Sequence, residues 1–178
     1  GHIPFAHLRL EASSTWNNDE DTTLEIARFE LLAAAYFACD SLNASISDLF
    51  LEGGSIITTS GRGPQGGEGV GKGFNMTSAE DGIQFGTGGG HGGYGGGEFK
   101  SATPQDPVVG GDPYGSYTLP RHSGSGGGGV KDNTTCGGRG GSWMHIVIGT
   151  DIHLDGTIEN RGGDATWNNC GGGSGGTI

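Results

Sequence analysis

Leu49-Phe50-Leu51-Glu52-Gly53-Gly54-Ser55-Ile56-Ile57-Thr58-Thr59-Ser60-Gly61 and Ile152-His153-Leu154-Asp155-Gly156-Thr157-Ile158-Glu159-Asn160-Arg161-Gly162 spell one motif twice. Each copy reads apolar-x-Leu, an acidic residue and glycine, then Ser or Thr before Ile, then polar residues and a closing glycine. Alternating apolar and polar positions mark strands, and the acid–Gly step between them marks a tight turn. A second echo follows the same logic: Cys136-Gly-Gly-Arg139-Gly-Gly-Ser142 against Cys170-Gly-Gly-Gly-Ser174-Gly-Gly-Thr177. Units that recur at roughly 20–50 residues, with strands and glycine turns and no helix, indicate stacked coils. The expected fold is therefore all-β, a parallel β-helix or solenoid.

Upstream, Leu24-Glu25-Ile26 and Leu42-Asn43-Ala44-Ser45-Ile46 alternate as strands do. The run Leu31–Ala38 is rich in Ala and Leu and has helix propensity. Strands are favoured there because both flanks alternate and Asp40-Ser41 breaks the run. Near the N-terminus, Phe5, Leu8 and Leu10 precede Asn17-Asn18-Asp19-Glu20-Asp21. That acidic group lacks the spaced ligands and the glycine of a calcium loop, so it is expected to be a solvated turn.

Glycine supplies 41 of 178 residues, against a usual share of about 7%. The densest stretch is Gly86–Gly97, interrupted by Thr87, His91 and Tyr94, with others at 61–73, 124–129 and 171–176. A flexible linker is one reading of such composition. Packed backbone is the other, and it is preferred because apolar runs and single aromatics punctuate the patches. Without Cβ atoms, extended threefold segments can pair their outward amides with one another, giving polyglycine-II-like packing in which the His91 ring hydrogen-bonds glycine backbone and holds loop register, with Tyr94 a further structural residue of the Gly loop. Pro104, Pro107, Pro113 and Pro120 keep the middle of the chain out of regular sheets. The expected organisation is one domain over 1–178, part of a longer chain, with coil strands at 24–61 and 143–178 and projecting Gly/Pro-rich segments at 62–130.

The formal charge of −11 disfavours nucleic acid and anionic membrane as partners, and no apolar run is long enough to span a bilayer. Three sequons, at Asn43, Asn75 and Asn133, point to a secreted, N-glycosylated protein. Of three cysteines, Cys136 and Cys170 occupy equivalent places in successive repeats. Coils about 4.8 Å apart bring such positions within disulfide reach, so a Cys136–Cys170 bridge is expected, with Cys39 outside it.

The ordered series Gly-Gly-Gly-His91-Gly-Gly-Tyr94-Gly-Gly, Pro113-Tyr114-Gly115-Ser116, Pro120, Gly124-Ser125, Leu154-Asp155-Gly156-Thr157-Ile158 and Gly-Gly-Gly-Ser174-Gly-Gly-Thr177-Ile178 resembles a Gly-rich region of very large eukaryotic surface proteins. Those proteins look like right-handed parallel β-helices of the pectin-lyase-like kind. The resemblance covers most of 24–178 and implies an extracellular, structural or adhesive role. It implies no pectin cleavage, because the acidic or basic side chains that such cleavage needs on one face are not found.

Chemistry is otherwise sparse. Gly66–Gly73 imitates a phosphate loop, but Gly73 stands where Ser or Thr must follow Lys72. His91, His122, His145 and His153 match no metal-ligand spacing, and His145 and His153 are expected to face solvent from strands. No metal, cofactor or catalytic group is expected. The leading function is a structural module of an extracellular or cell-surface assembly (a filament, sheath or appendage) partnered by its own kind or by other chains of the polymer. An adhesin or receptor-ectodomain module that binds protein or glycan through the Gly-rich loops is the alternative, with Tyr94, Tyr114, Tyr117, Trp143 and Trp167 as sugar-stacking candidates. A polysaccharide-cleaving enzyme is the remote third reading.

Overall fold

The computed structural model describes residues 6–78, 82–97, 109–130, 133 and 135–178, and the backbone of 2–3. Pro104 and Pro107 lie outside the described residues. Packing divides the chain into two units: Gly1–Thr59 with Met144–Glu159 and Ile178, and Ser60–Trp143 with Asn160–Thr177. Among the described residues no helix occurs, and the architecture is all-β.

The first unit holds β1 (His2–Ile3), β2 (His7–Leu10), β3 (Thr15–Leu31), β4 (Tyr36–Leu51), β5 (Ile56–Thr58), then, much later in the chain, β8 (Met144–Leu154) and β9 (Thr157–Glu159). Every pairing among them is parallel. β3 has β1 and β2 on one side and β4 on the other; the far side of β4 takes β5 along Tyr36–Ala38 and β8 along Leu42–Leu51; β9 pairs with β5.

This register sets like residues in columns across the strands, where parallel neighbours lie about 4.8 Å apart. Leu8, Phe29, Leu49 and Ile152 form one column, and Leu10, Leu31, Leu51 and Leu154 the next but one. Leu24, Ala44 and Ile146, then Ile26, Ile46 and Ile148, continue the pattern. The apolar-x-Leu step is thus present four times: Leu8-Arg9-Leu10, Phe29-Glu30-Leu31, Leu49-Phe50-Leu51 and Ile152-His153-Leu154. The two copies of the opening motif lie directly against each other, with Leu51 on Leu154 and Ile57 on Ile158. Phe37 is fully buried and edge-on to both Trp16, at 4.7 Å, and Phe29, at 5.2 Å.

The turns between strands also align. Ser13, Ala34 and Gly54 all have positive φ, 61°, 58° and 79°. Ser13 N–H donates to Ala33 O, and Ala33 N–H donates to the Glu52 carboxylate, so each turn leans on the next. Leu31–Ala38 is accordingly strand, turn and strand: the helix propensity of Leu32-Ala33-Ala34-Ala35 yields to the backbone partners that neighbouring turns supply. The acidic group Asn17–Asp21 is not a turn. It runs within β3, with a register irregularity between Asn18 and Asp21 opposite β4. Ser41 Oγ donates to Asp21 Oδ1 at 2.6 Å. Asp40-Ser41 likewise sits inside β4 rather than ending it. Strand pairing outweighs the low β-propensity of these polar residues, which is a packing preference more than an intrinsic one.

In the second unit the regular strands are a short antiparallel pair, β6 (Asn75–Thr77) and β7 (Gln84–Gly86). The rest of its described backbone is extended glycine-rich chain whose amides bond from segment to segment. Gly67 N donates to Gly127 O at 2.7 Å, Gly127 N to Gly138 O at 2.9 Å, Gly138 N to Gly171 O at 2.9 Å, and Gly171 N to Gly128 O at 2.9 Å. Gly73, Gly89 and Gly141 donate in the same way to Gly126, Gly172 and Ser174. Each segment therefore serves several others, unlike a sheet ladder, and the buried donors are satisfied as buried donors must be. The approach is close enough to require glycine: a Cβ at Gly126 would meet Gln65 O at 1.9 Å, and one at Gly138 would meet Gly163 O at 1.9 Å.

Candidate functional site

His91, Tyr114, Ser125 and Ser174 take part in a connected side-chain network of the second unit. His91 Nδ1 lies 3.0 Å from Gly175 O, which fixes Nδ1 as the protonated nitrogen, and its ring packs 4.9 Å from Tyr114. Tyr114 OH donates to Ser123 O and accepts from Ser125 Oγ at 2.8 Å. Ser125 Oγ in turn accepts from Gly71 N at 2.9 Å, and Ser174 Oγ accepts from Ser125 N at 2.7 Å while donating to Gly90 O. Burial pushes the Tyr114 phenol above its ordinary value, against the opposing Ser125 hydrogen bond. Ser125 is fully buried. Its hydroxyl and the Tyr114 phenol make contacts that tie glycine segments together, so this network positions backbone. Tyr94 is exposed.

A disulfide joins Cys136 to Cys170, with Cα atoms 6.0 Å apart, and Cys39 is buried in the first unit. A disulfide fits an oxidising compartment. Among the described residues no helix is long and apolar enough to cross a membrane. Asn43 is exposed on β4, with Oδ1 3.3 Å from His145 Nδ1. Asn75 is exposed on β6 and accepts from Gly129 N at 2.8 Å; Asn133 is half-buried and bridges Val130. His145 and His153 face solvent from β8, and His153 stacks 4.5 Å from Phe50.

In the first unit the chemistry gathers on the outward columns beside the apolar-x-Leu steps. Glu30 is 8% exposed and receives Arg28 Nε at 2.6 Å, His7 Nε2 at 3.1 Å and Arg9 Nε at 3.9 Å. Burial works against ionisation of Glu30, but the Arg28 and His7 contacts outweigh it and hold its carboxyl below the ordinary value. This cluster is a feature the motif reading passes over. The signal is present in the sequence as Arg9, Arg28 and Glu30 flanking the apolar residues of equivalent steps, Leu8-Arg9-Leu10 and Phe29-Glu30-Leu31.

An open pocket of about 460 Å³ in the second unit is lined by Glu68, Lys72, Phe74, Asn75 and Thr135 with neighbouring glycines. It contains the phosphate-loop look-alike, which here opens no helix. Among the described residues no group of three or more His, Cys, Asp or Glu is placed to hold a metal ion. Comparison with protein-family models, with curated proteins and with solved structures finds no match.

Proposed function

We propose that this chain is a structural module of an extracellular assembly, combining stacked coils of a parallel β-helix with a polyglycine-II-like bundle. The observation that carries this reading is the in-register repetition of the apolar-x-Leu step over four parallel strands. The 17 residues of β3, if straight, would extend about 55 Å. Yet the link from Leu31 to Tyr36 spans at most about 18 Å, and Tyr36 must return beside Thr15. A strand that curls through one coil satisfies both distances.

The glycine bundle suits the same role. Interlocked backbone resists extension through many hydrogen bonds and asks little of side chains. The disulfide and the sequons at Asn43, Asn75 and Asn133 fit a glycosylated surface protein. Electron microscopy of native material tests the proposal: fibres or sheaths are expected, and discrete particles would overturn it.

A second reading rests on Tyr94, Tyr117 and Trp167, whose rings are exposed. Such rings can stack on sugar faces or pack against protein. Glycan-array binding that is lost on Tyr94→Ala or Trp167→Ala would favour an adhesive module over a purely structural one.

A further inference from the structure

We infer that β8 is a docking edge for β2 of a second copy of this chain, so that copies stack head to tail in register. This rests on the structural role proposed above. The columns show what the edge lacks. Leu10, Leu31 and Leu51 are 8%, 0% and 0% exposed, but Leu154, the last member of the same column, is 49% exposed. Ile152 ends the Leu8–Phe29–Leu49 column and is 56% exposed. Among the described residues, β8 pairs with β4 alone. An open row of backbone groups beside apolar side chains is a template for another strand.

The segment that fits is one this chain itself carries. Leu8-Arg9-Leu10 repeats the apolar-x-Leu step of β8, and among the described residues β2 pairs with β3 alone. Placed one strand spacing beyond β8, Leu8 of the second copy covers Ile152 and Leu10 covers Leu154. The outward column decides the polarity. It reads His7, Arg28, Asp48, Asp151, basic at the β2 end and acidic at the β8 end. Head-to-tail stacking sets Asp151 beside His7 of the next copy, with Arg28 one strand further. A two-fold pairing of β8 with β8 would run antiparallel, unlike every pairing within this unit. The contact is heterologous, so it propagates instead of closing on a pair.

The test is disulfide trapping in the 178-residue chain. Arg9 and His153 share one column; both are exposed, and the strand spacing places them within disulfide reach of each other across the contact. Arg9→Cys mixed with His153→Cys should yield a dimer on oxidation. The double variant should yield a ladder, and either single variant alone should stay monomeric. Leu154→Asp, at a position already open to solvent, should abolish the ladder while leaving the circular dichroism spectrum unchanged. Dominant products in which two Arg9→Cys chains, or two His153→Cys chains, are joined through the same position would overturn the inference. So would a monomer in sedimentation velocity at high concentration with no trapping. Trapping failure beside fibres in native material would remove this contact and leave the structural role standing. Trapping success beside discrete native particles would do the reverse.

Discussion

Gly138→Ala probes whether the glycine segments are built structure. Gly138 is buried, and a Cβ there would lie 1.9 Å from Gly163 O and 2.8 Å from Gly173 N. Carbon and carbonyl oxygen normally keep more than about 3.3 Å apart, so the 163 segment must retreat by over an ångström. That movement breaks the bond from Gly173 N to Gly163 O, at 3.0 Å, and strains those from Gly163 N to Arg139 O and Gly138 N to Gly171 O. Each backbone hydrogen bond is worth about 1 kcal/mol net, and a buried group left unsatisfied costs about 1–3 kcal/mol more. The expected loss is about 3–5 kcal/mol, or a fall in Tm of about 6–20 °C for a chain of this size. Gly92→Ala is the control: nothing lies within 4 Å of its added Cβ, so its effect should be within about 1 kcal/mol of zero. Urea and thermal unfolding under oxidising conditions read both variants. Equal midpoints for Gly138→Ala and Gly92→Ala would refute the reasoning.

Four further outcomes follow from the same geometry. Phe37→Ala removes a fully buried ring between Trp16 and Phe29 and should cost about 3–5 kcal/mol in urea unfolding. Ala34→Gly relieves a non-glycine residue at φ 58° and should stabilise by about 0.5–1 kcal/mol by the same measurement, because Gly54 already occupies the matching place in the next turn. Reducing the Cys136–Cys170 bridge, with a separation of 34 residues, should cost about 3–4 kcal/mol on the loop-entropy account, read as a lower urea midpoint in dithiothreitol. The Glu30 carboxyl is held below its ordinary 4.5, so its contribution is full above that value in the folded protein and is lost as pH falls through the lowered one. Glu30→Gln should therefore flatten the acid limb of stability against pH, as read by urea midpoints from neutral to acidic buffer.

The strands are legible where side chains alternate. Leu24–Ile26, Leu42–Ile46 and the apolar steps of the two long copies of the motif lie in parallel strands, and those steps pair with each other. Two further copies of apolar-x-Leu, at Leu8–Leu10 and Phe29–Leu31, escape notice because their turns carry no glycine: Glu11-Ala12-Ser13-Ser14 and Leu32-Ala33-Ala34-Ala35 do what Glu52-Gly53-Gly54-Ser55 does. Ser13 and Ala34 take a conformation that sequence assigns to glycine, and only the stacked neighbours make it tolerable. Asn17–Asp21 misleads for the converse reason, since a run of polar residues within a strand still donates and accepts through backbone.

Within the glycine-rich unit, the sequence indicates that backbone can pack but not against what. Gly127 and Gly138 have no side chain to specify a partner, and their mutual bond is decided by segments far apart in the chain. Side chains with reach help to specify it, among them Tyr114 to Ser123 and Ser125, His91 to Gly175, and Asn160, whose Nδ2 donates to Ser142 O at 2.7 Å and Thr177 O at 2.9 Å. Of these, His91 stands out by its isolation among glycines. Ser125 and Asn160 look like ordinary loop residues.

Amide hydrogen exchange of the glycines, resolved by NMR, tests the central claim most directly. Gly67, Gly127, Gly138 and Gly171 should exchange orders of magnitude more slowly than the open-lying Gly92, because their donors are bonded to carbonyls of neighbouring segments. Exchange of all five at the rate of an unstructured peptide would contradict it.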